Sequence, residues 1–394
     1  MNNNVPQIRF KGFTDVWEQR KFSDLAQRES AVEVSSPDCP SVEYEDVIAE
    51  EGRLNKDIRL KETQKTGIKF DGTQVLYGKL RPYLHNWLNP DFTGVAVGDW
   101  WVLRPICIDK DYLYRLIQTK QFDDVANQSA GSKMPRADWN LISNTEFFVP
   151  ISMEEQGKIA QAFTNLDTLI TLHQRKCDSL KKLKKSMLQK MFPKNGSSYP
   201  EIRFEGFTDA WEQREFSDFT FPAGEKNKKD LPLEPYAITN EHGFIAQSEA
   251  HDDFGYMQDV DRKMYIIVKP NSFAYNPARI NVGSLGYYEG TKNVIVSSLY
   301  EVFQTVDDVD DIFLNQWFKT KDFMDWIAKL QEGSVRQYFY YDKLCECKMC
   351  MPSVEEQQQI GTYFRNLDTL ITLHQRKLET LKKLKKSMLQ KMFI

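Results

Sequence analysis

The chain has 394 residues, 41% of them hydrophobic and 13% aromatic, with a formal net charge of −4. That mixture can fill the cores of two domains and excludes a disordered chain; so small a net charge neither demands nor forbids a nucleic-acid partner, because patches matter more than totals. The opening MNNNVPQIRF has no apolar stretch, no run approaches 18 apolar residues, and the six cysteines do not form a disulfide framework, so a soluble, reducing, cytoplasmic setting is expected.

The first element in chain order is a head, PQIRFKGFTDVWEQRKFSDL (Pro6 to Leu25). GTQVLYG and GVAVGDWWVLRPI then predict strands, rich in Val, Trp and Tyr and bounded by Gly. KDYLYRLIQTKQFDDVANQ predicts one helix, with Leu113, Leu116, Ile117 and Phe122 near helical spacing, and EFFVPI a closing strand. MEEQGKI, from Met153, opens a long helical pattern that contains no Pro from Glu154 to Met191 and ends at Pro193. Its apolar stripe runs through Leu166, Leu169, Ile170, His173, Cys177, Leu180, Leu183, Met187 and Met191, a spacing suited to coiled-coil or bundle packing. A helix of about 38 residues would span roughly 57 Å.

The second half repeats this order. PEIRFEGFTDAWEQREFSDF (Pro200 to Phe219) matches the head at 15 of 20 positions. KMYIIV and NVIVSSLYEVFQT are the strand candidates, DIFLNQWFKTKDFMDWIAKL the helix, and VEEQQQI from Val354 opens the second long helix. Asn165 to Phe192 and Asn366 to Phe393 agree at 25 of 28 positions, so Leu370, Ile371, Leu381, Leu384 and Met388 repeat Leu169, Ile170, Leu180, Leu183 and Met187. Two nearly identical stripes would most simply pack against each other, antiparallel, with a pseudo-two-fold relation. Strands mixed irregularly with helices make each middle α+β (mixed α/β). The expected domains are 1–152 and 194–353, with spacer helices at 153–193 and 354–394.

Catalytic motifs are weak. Asn89-Pro90-Asp91-Phe92 resembles an amino-methyltransferase signature with one proline missing, but no Gly-rich cofactor loop precedes it, and an ordinary Asn-Pro turn explains it. Cys345, Cys347 and Cys350 lack a fourth ligand and a paired knuckle, the five histidines fall in no ligand pattern, and there is no Walker-type loop. No active site and no metal site is expected in this chain. The runs Lys181 to Lys185 and Lys382 to Lys386 are a solvated face or a docking surface.

Nucleic-acid candidates cluster in loops of the divergent middles. Lys79, Arg81 and Tyr83 follow one strand, and Lys133 and Arg136 follow Gly131-Ser132. Asn276, Arg279 and Asn281, with Arg336, Gln337 and Tyr338, are their counterparts. Arg binds guanine edges bidentately, Asn and Gln bind adenine, and Gly admits backbone close to phosphate. Ordinary surface turns would also contain such residues.

Divergent middles ending in Gly-Ser, a Pro followed by Glu-Glu-Gln-x2-Ile, and a long Leu/Lys helix, all duplicated, resemble the DNA-specificity subunit of a type I restriction–modification system. The resemblance spans essentially the whole chain. It implies two target-recognition domains, each reading half of a split double-stranded DNA site, with antiparallel helices as spacer. It further implies two methyltransferase subunits carrying S-adenosylmethionine, which dock on the helical frame and flip out an adenine. Two restriction/translocase subunits using ATP and Mg would complete the complex, and the specificity subunit itself would catalyse nothing. Two other readings stay open at this point: a self-contained methyltransferase or nuclease, and a duplicated coiled-coil adaptor without DNA specificity.

Overall fold

The computed structural model describes residues 5–128, 134–194, 196–239, 243–250, 262–333 and 337–394. They divide into two units, one made of Met1–Gln174 with Gln375–Ile394 and the other of Arg175–His374. Each long helix is continuous, Met153–Lys190 and Val354–Met392, and gives its N-terminal part to one unit and its C-terminal part to the other.

In the first unit a sheet runs in the order Ala26–Arg28, Trp100–Pro105, Val75–Gly78, Trp87–Leu88, with every neighbour antiparallel. Side chains alternate across it. Val75, Tyr77, Trp101 and Leu103 face a core shared with the helices, whereas Leu76, Trp100 and Val102 face a second core. That second core is closed by another sheet, ordered Val32–Val34, Thr66–Phe70, Gly94–Ala96, Ser41–Val42. The unit is therefore two sheets with helices on one outer face, an α+β arrangement.

The second unit repeats it. Thr220–Pro222, Glu301–Thr305, Ser272–Tyr275 and Leu285–Tyr288 form the central sheet, and Glu225–Lys226, Ile266–Val268 and Val294–Val296 the outer one. Phe273, Tyr275 and Phe303 point to the helices; Ala274 and Val302 point to the outer sheet.

Four predicted elements are split, two helices and two strands, with NVIVSSLYEVFQT dividing into Val294–Val296 and Glu301–Thr305. The single helices expected after the strands are pairs: Lys110–Leu116 with Lys120–Ala126, and Asp311–Trp317 with Lys321–Leu330. Thr119 breaks the first by accepting from the Phe122 N–H and donating to the Leu116 carbonyl, a capping bond that ends one helix and begins the next. The strand expected over GVAVGDWWVLRPI breaks at Gly98, whose φ of +97° lets Gly94–Ala96 and Trp100–Pro105 join different sheets.

The repeated sequence elements are internal clamps. Arg9 of the head donates from Nε and Nη2 to both oxygens of Glu155, at 2.6 and 2.8 Å. Arg203 does the same to Glu356, at 2.7 and 2.8 Å. Gln156 accepts from the Asp109 N–H and donates to the Pro150 carbonyl; Gln357 does likewise with Asp310 and Pro352. Head, closing strand and long helix are thus tied by one Glu-Gln pair in each unit.

Within each unit the helix segments run antiparallel. In the first, Phe163 packs on Phe393 and Asp167 pairs with Lys385 at 2.6 Å. In the second, Phe364 packs on Phe192 and Asp368 pairs with Lys184 at 2.6 Å. The seam keeps a strict alternation of threes and fours: 163, 166, 170, 173, 177, 180, 184, 187, 191. This corrects the sequence reading at four positions. Leu169, Leu183, Leu370 and Leu384 are exposed, at 42, 39, 43 and 46%: the seam takes Ile170 and Ile371 instead of the leucines before them, and Lys184 and Lys385 hold the positions given to Leu183 and Leu384. Ile170 is half-buried, Leu180, Ile371 and Leu381 are buried, and Met187 and Met388 are half-buried against the cores.

Candidate nucleic-acid interface

In the first unit, strand Val75–Gly78 delivers the chain into Lys79-Leu80-Arg81-Pro82-Tyr83. Gly78 is required there: a Cβ would lie 2.9 Å from the Asn86 Cβ and 3.0 Å from the Tyr44 hydroxyl. Arg81 (φ +49°) and His85 (φ +53°) are both left-handed and bracket a short 3-10 turn, Pro82–Leu84. Two such non-glycine residues cost roughly 1–3 kcal/mol each, and persist only where neighbours fix them. The neighbours are evident. The Arg81 N–H donates to the Pro135 carbonyl at 2.7 Å, and the Ala137 N–H to the Lys79 carbonyl at 2.8 Å. The buried part of Tyr44 sits between, its hydroxyl donating to the Asp99 carbonyl at 2.6 Å and accepting from the Leu80 N–H at 3.0 Å.

This arrangement brings Lys79, Arg81, Tyr83 and Arg136 together; Arg81, Tyr83 and Arg136 are exposed. Asp99, which the sequence did not single out, organises two of them. Arg136 donates from Nε and Nη2 to its two carboxylate oxygens at 3.2 and 3.1 Å, and the Lys79 ammonium lies 3.6 Å away. The bond from Arg136 holds the Asp99 carboxyl below the usual carboxylate range, against a burial effect of opposite sign. Lys133 lies outside the described residues.

The second unit uses the same backbone frame. Phe339 donates its N–H to the Pro277 carbonyl at 3.1 Å, as Ala137 does to Lys79. Pro277 therefore matches Lys79, and Tyr338 matches Arg136. Tyr77 faces Trp101 across its ladder and Tyr275 faces Glu301, so Glu301 matches Trp101 and Leu299 matches Asp99. Asn276, Arg279, Asn281, Gln337 and Tyr338 line one cleft of about 920 Å³. Asn276 already uses its side-chain oxygen to accept from the Ala278 N–H. Tyr338 stacks on Tyr340, centroids 5.5 Å apart and planes 5° from parallel. Arg336 lies outside the described residues.

Cys347 is buried, with its thiol pushed up to about 12 by burial, and Cys350 donates to the Ser197 carbonyl at 3.5 Å. No cluster of three or more His, Cys, Asp or Glu able to hold a metal occurs among the described residues, and no described helix is long and apolar enough to cross a membrane.

The sequence profile of the type I restriction modification DNA specificity domain matches this chain twice, over residues 17–182 and 236–383. The type I restriction enzyme MjaVIII specificity subunit of Methanocaldococcus jannaschii is 22% identical over 303 residues, covering 72% of this chain and 69% of that protein. Among solved structures, the S subunit of a type I restriction–modification system from M. genitalium covers 99% of both chains with a TM-score of 0.62 at 11% identity. A chain from a structural study of assembly and conformational transition in the type I R-M system covers 95% of this chain and 97% of its own, with a TM-score of 0.51 at 14% identity. The last two likenesses speak for the fold, and the doubled profile match, placed on both units, speaks for the family. The chain belongs to the DNA-specificity subunits of type I restriction–modification systems.

Proposed function

We propose that domains 1–152 and 194–353 each read one half of a split double-stranded DNA site, through the loop faces described above. The helices 153–193 and 354–394 set the gap between half-sites. The observation that supports this most is the distribution of difference. Residues repeated in both copies form the Arg9–Glu155 and Arg203–Glu356 clamps, while the loop faces hold Lys79 against Pro277, Asp99 against Leu299 and Arg136 against Tyr338. A fixed frame with changed side chains suits two readers of different sequences.

In this reading, Lys79, Arg81, Tyr83, Lys133 and Arg136 contact the first half-site. Asn276, Arg279, Asn281, Gln337 and Tyr338, with Arg336, contact the second. Exposed Leu169, Leu183, Leu370 and Leu384 fit a surface on which two methyltransferase subunits dock. Those subunits would carry S-adenosylmethionine and take a flipped adenine, two restriction/translocase subunits would join them with ATP and Mg, and the specificity chain would do no chemistry. The assembly would act in the cytoplasm. The test is to co-express the chain with its methyltransferase, exchange residues 26–149 for the same segment of another such protein, and map N6-methyladenine across a genome. One half-site should change and the other persist; alteration of both would overturn the modular reading.

A further inference from the structure

Glu301 stands where the first unit has a buried tryptophan. Trp101 is 3% exposed and stacks on Tyr77 at 5.7 Å, filling the core end of the ladder. Glu301 faces Tyr275 at the same register, half-buried, and lines the 920 Å³ cleft with Asn276, Asn281, Gln337, Tyr338 and Tyr340. In the first unit the loop carboxylate, Asp99, is held by Arg136 and Lys79. In the second those three positions are Leu299, Tyr338 and Pro277, so none of them supplies a cation to Glu301, and Arg279, on the same cleft, is not held by it in an ion pair as Arg136 is by Asp99. Burial and the nearby charge of Asp342 both push its carboxyl up, and no positive group among the described residues counters them. A half-buried carboxylate without a cation beside it is less favourable there than the buried aromatic it replaces, which marks a place where local stability yields to another requirement.

We propose that Glu301 is a specificity-determining residue, accepting a hydrogen bond from the exocyclic amino group of a cytosine or adenine in the second half-site. The proposal rests on the DNA-reading role proposed above. Its chemistry follows from the inventory of groups DNA presents. An ionised carboxylate only accepts, phosphates repel it, and the amino donors on the major-groove edge are cytosine N4 and adenine N6. Asn281 and Gln337 in the same cleft offer amides for the adjoining acceptors. Tyr338 and Tyr340, stacked on each other, line the same cleft.

The experiment uses the chain assembled with its methyltransferase subunits. DNA duplexes carry the mapped site with each cytosine or adenine of the second half-site replaced, one at a time, by 2-pyrimidinone or purine, which lack the amino group. The unsubstituted chain should lose on the order of tenfold to a hundredfold in binding at one such position. Glu301→Gln should lose little further there, accept other bases at that position, and leave the first half-site unchanged. Because the comparison is made between DNAs on one protein, a folding defect would not imitate it. An E301Q complex with unchanged preference at every position overturns the inference, as does loss of preference in both half-sites. If residues 26–149 can be exchanged without altering either half-site, the DNA-reading role itself fails; if that exchange works and E301Q is silent, only the role of Glu301 fails.

Discussion

The two loop faces share a backbone and differ in how they handle charge. The first is an ionic lock: Asp99 gathers Arg136 and Lys79 and, through its carbonyl, Tyr44. The second has aromatic rings, amides and Arg279 around a carboxyl that no described cation pairs with. The lesson is that the frame bonds are made by backbone groups, such as Ala137 to Lys79 and Phe339 to Pro277, which survive any change of side chain. Side chains on this face are thereby released from building the fold.

That contrast can be broken in four ways. The largest effect is expected from the helix ends. Phe393 packs against Trp17, Tyr112 and Phe163 in the first unit, so Phe393→Ala should cost it about 3–5 kcal/mol. Hydrogen exchange should show protection lost in residues 5–128 and kept in 196–239, while Phe192→Ala does the reverse; equal loss in both would deny that the units are separately completed. Next, Arg9→Ala strands the buried Glu155 carboxylate, whose side chain is 2% exposed, and should cost about 3–5 kcal/mol by denaturant titration. A change under 1 kcal/mol would show that the clamp is ornamental.

A smaller and more selective effect is expected at the lock. Asp99→Ala releases Arg136 and Lys79, and should weaken discrimination in the first half-site by about 1–3 kcal/mol with the second untouched. Methylation mapping that returned the parental motif would remove Asp99 from recognition. The smallest belongs to the seam. Lys385→Ala breaks a pair with Asp167 that is partly open to solvent, and should cost about 0.2–1 kcal/mol. Because Asp167 also holds the buried Arg115 at 2.5 Å, the pair is tested by a double-mutant cycle with Asp167→Ala, in which the losses should be less than additive; additive losses would mean that Lys385 and Asp167 do not interact.

The duplication, the long helices and the strands around GTQVLYG, GVAVGDWWVLRPI, EFFVPI, KMYIIV and NVIVSSLYEVFQT were legible because they rest on local pattern and self-similarity, whereas strands such as Thr66–Phe70 and Ser272–Tyr275 were not singled out. The helix breaks were not, since Thr119 and Thr320 sit inside an apolar rhythm that continues on either side of a cap. The seam was misjudged at Leu183 because a leucine next to a lysine seems the better core residue, yet the heptad count favours Lys184, whose stem packs while its ammonium reaches Asp368. Loop residues such as Arg81, Arg279 and Tyr338 were visible as basic, aromatic or amide types after strands. Asp99 and Glu301 were not, because an acidic residue gains meaning there only from what stands across the ladder or across 37 positions of chain. Likewise, the IRF and EEQ motifs were plain as repeats, but their pairing over 146 residues was not.

The division of the helices between units also sets an order of events during synthesis. The second unit is contained within 175–374, whereas the first needs 375–394 to cover Trp17 and Tyr112. A chain emerging from the ribosome thus makes the N-terminal unit first and completes it last. Until residues near Phe393 appear, an aromatic floor stays open on a domain already some 200 residues out of the tunnel. Ordinary vectorial folding, in which the leading domain is finished while the next is made, is reversed here.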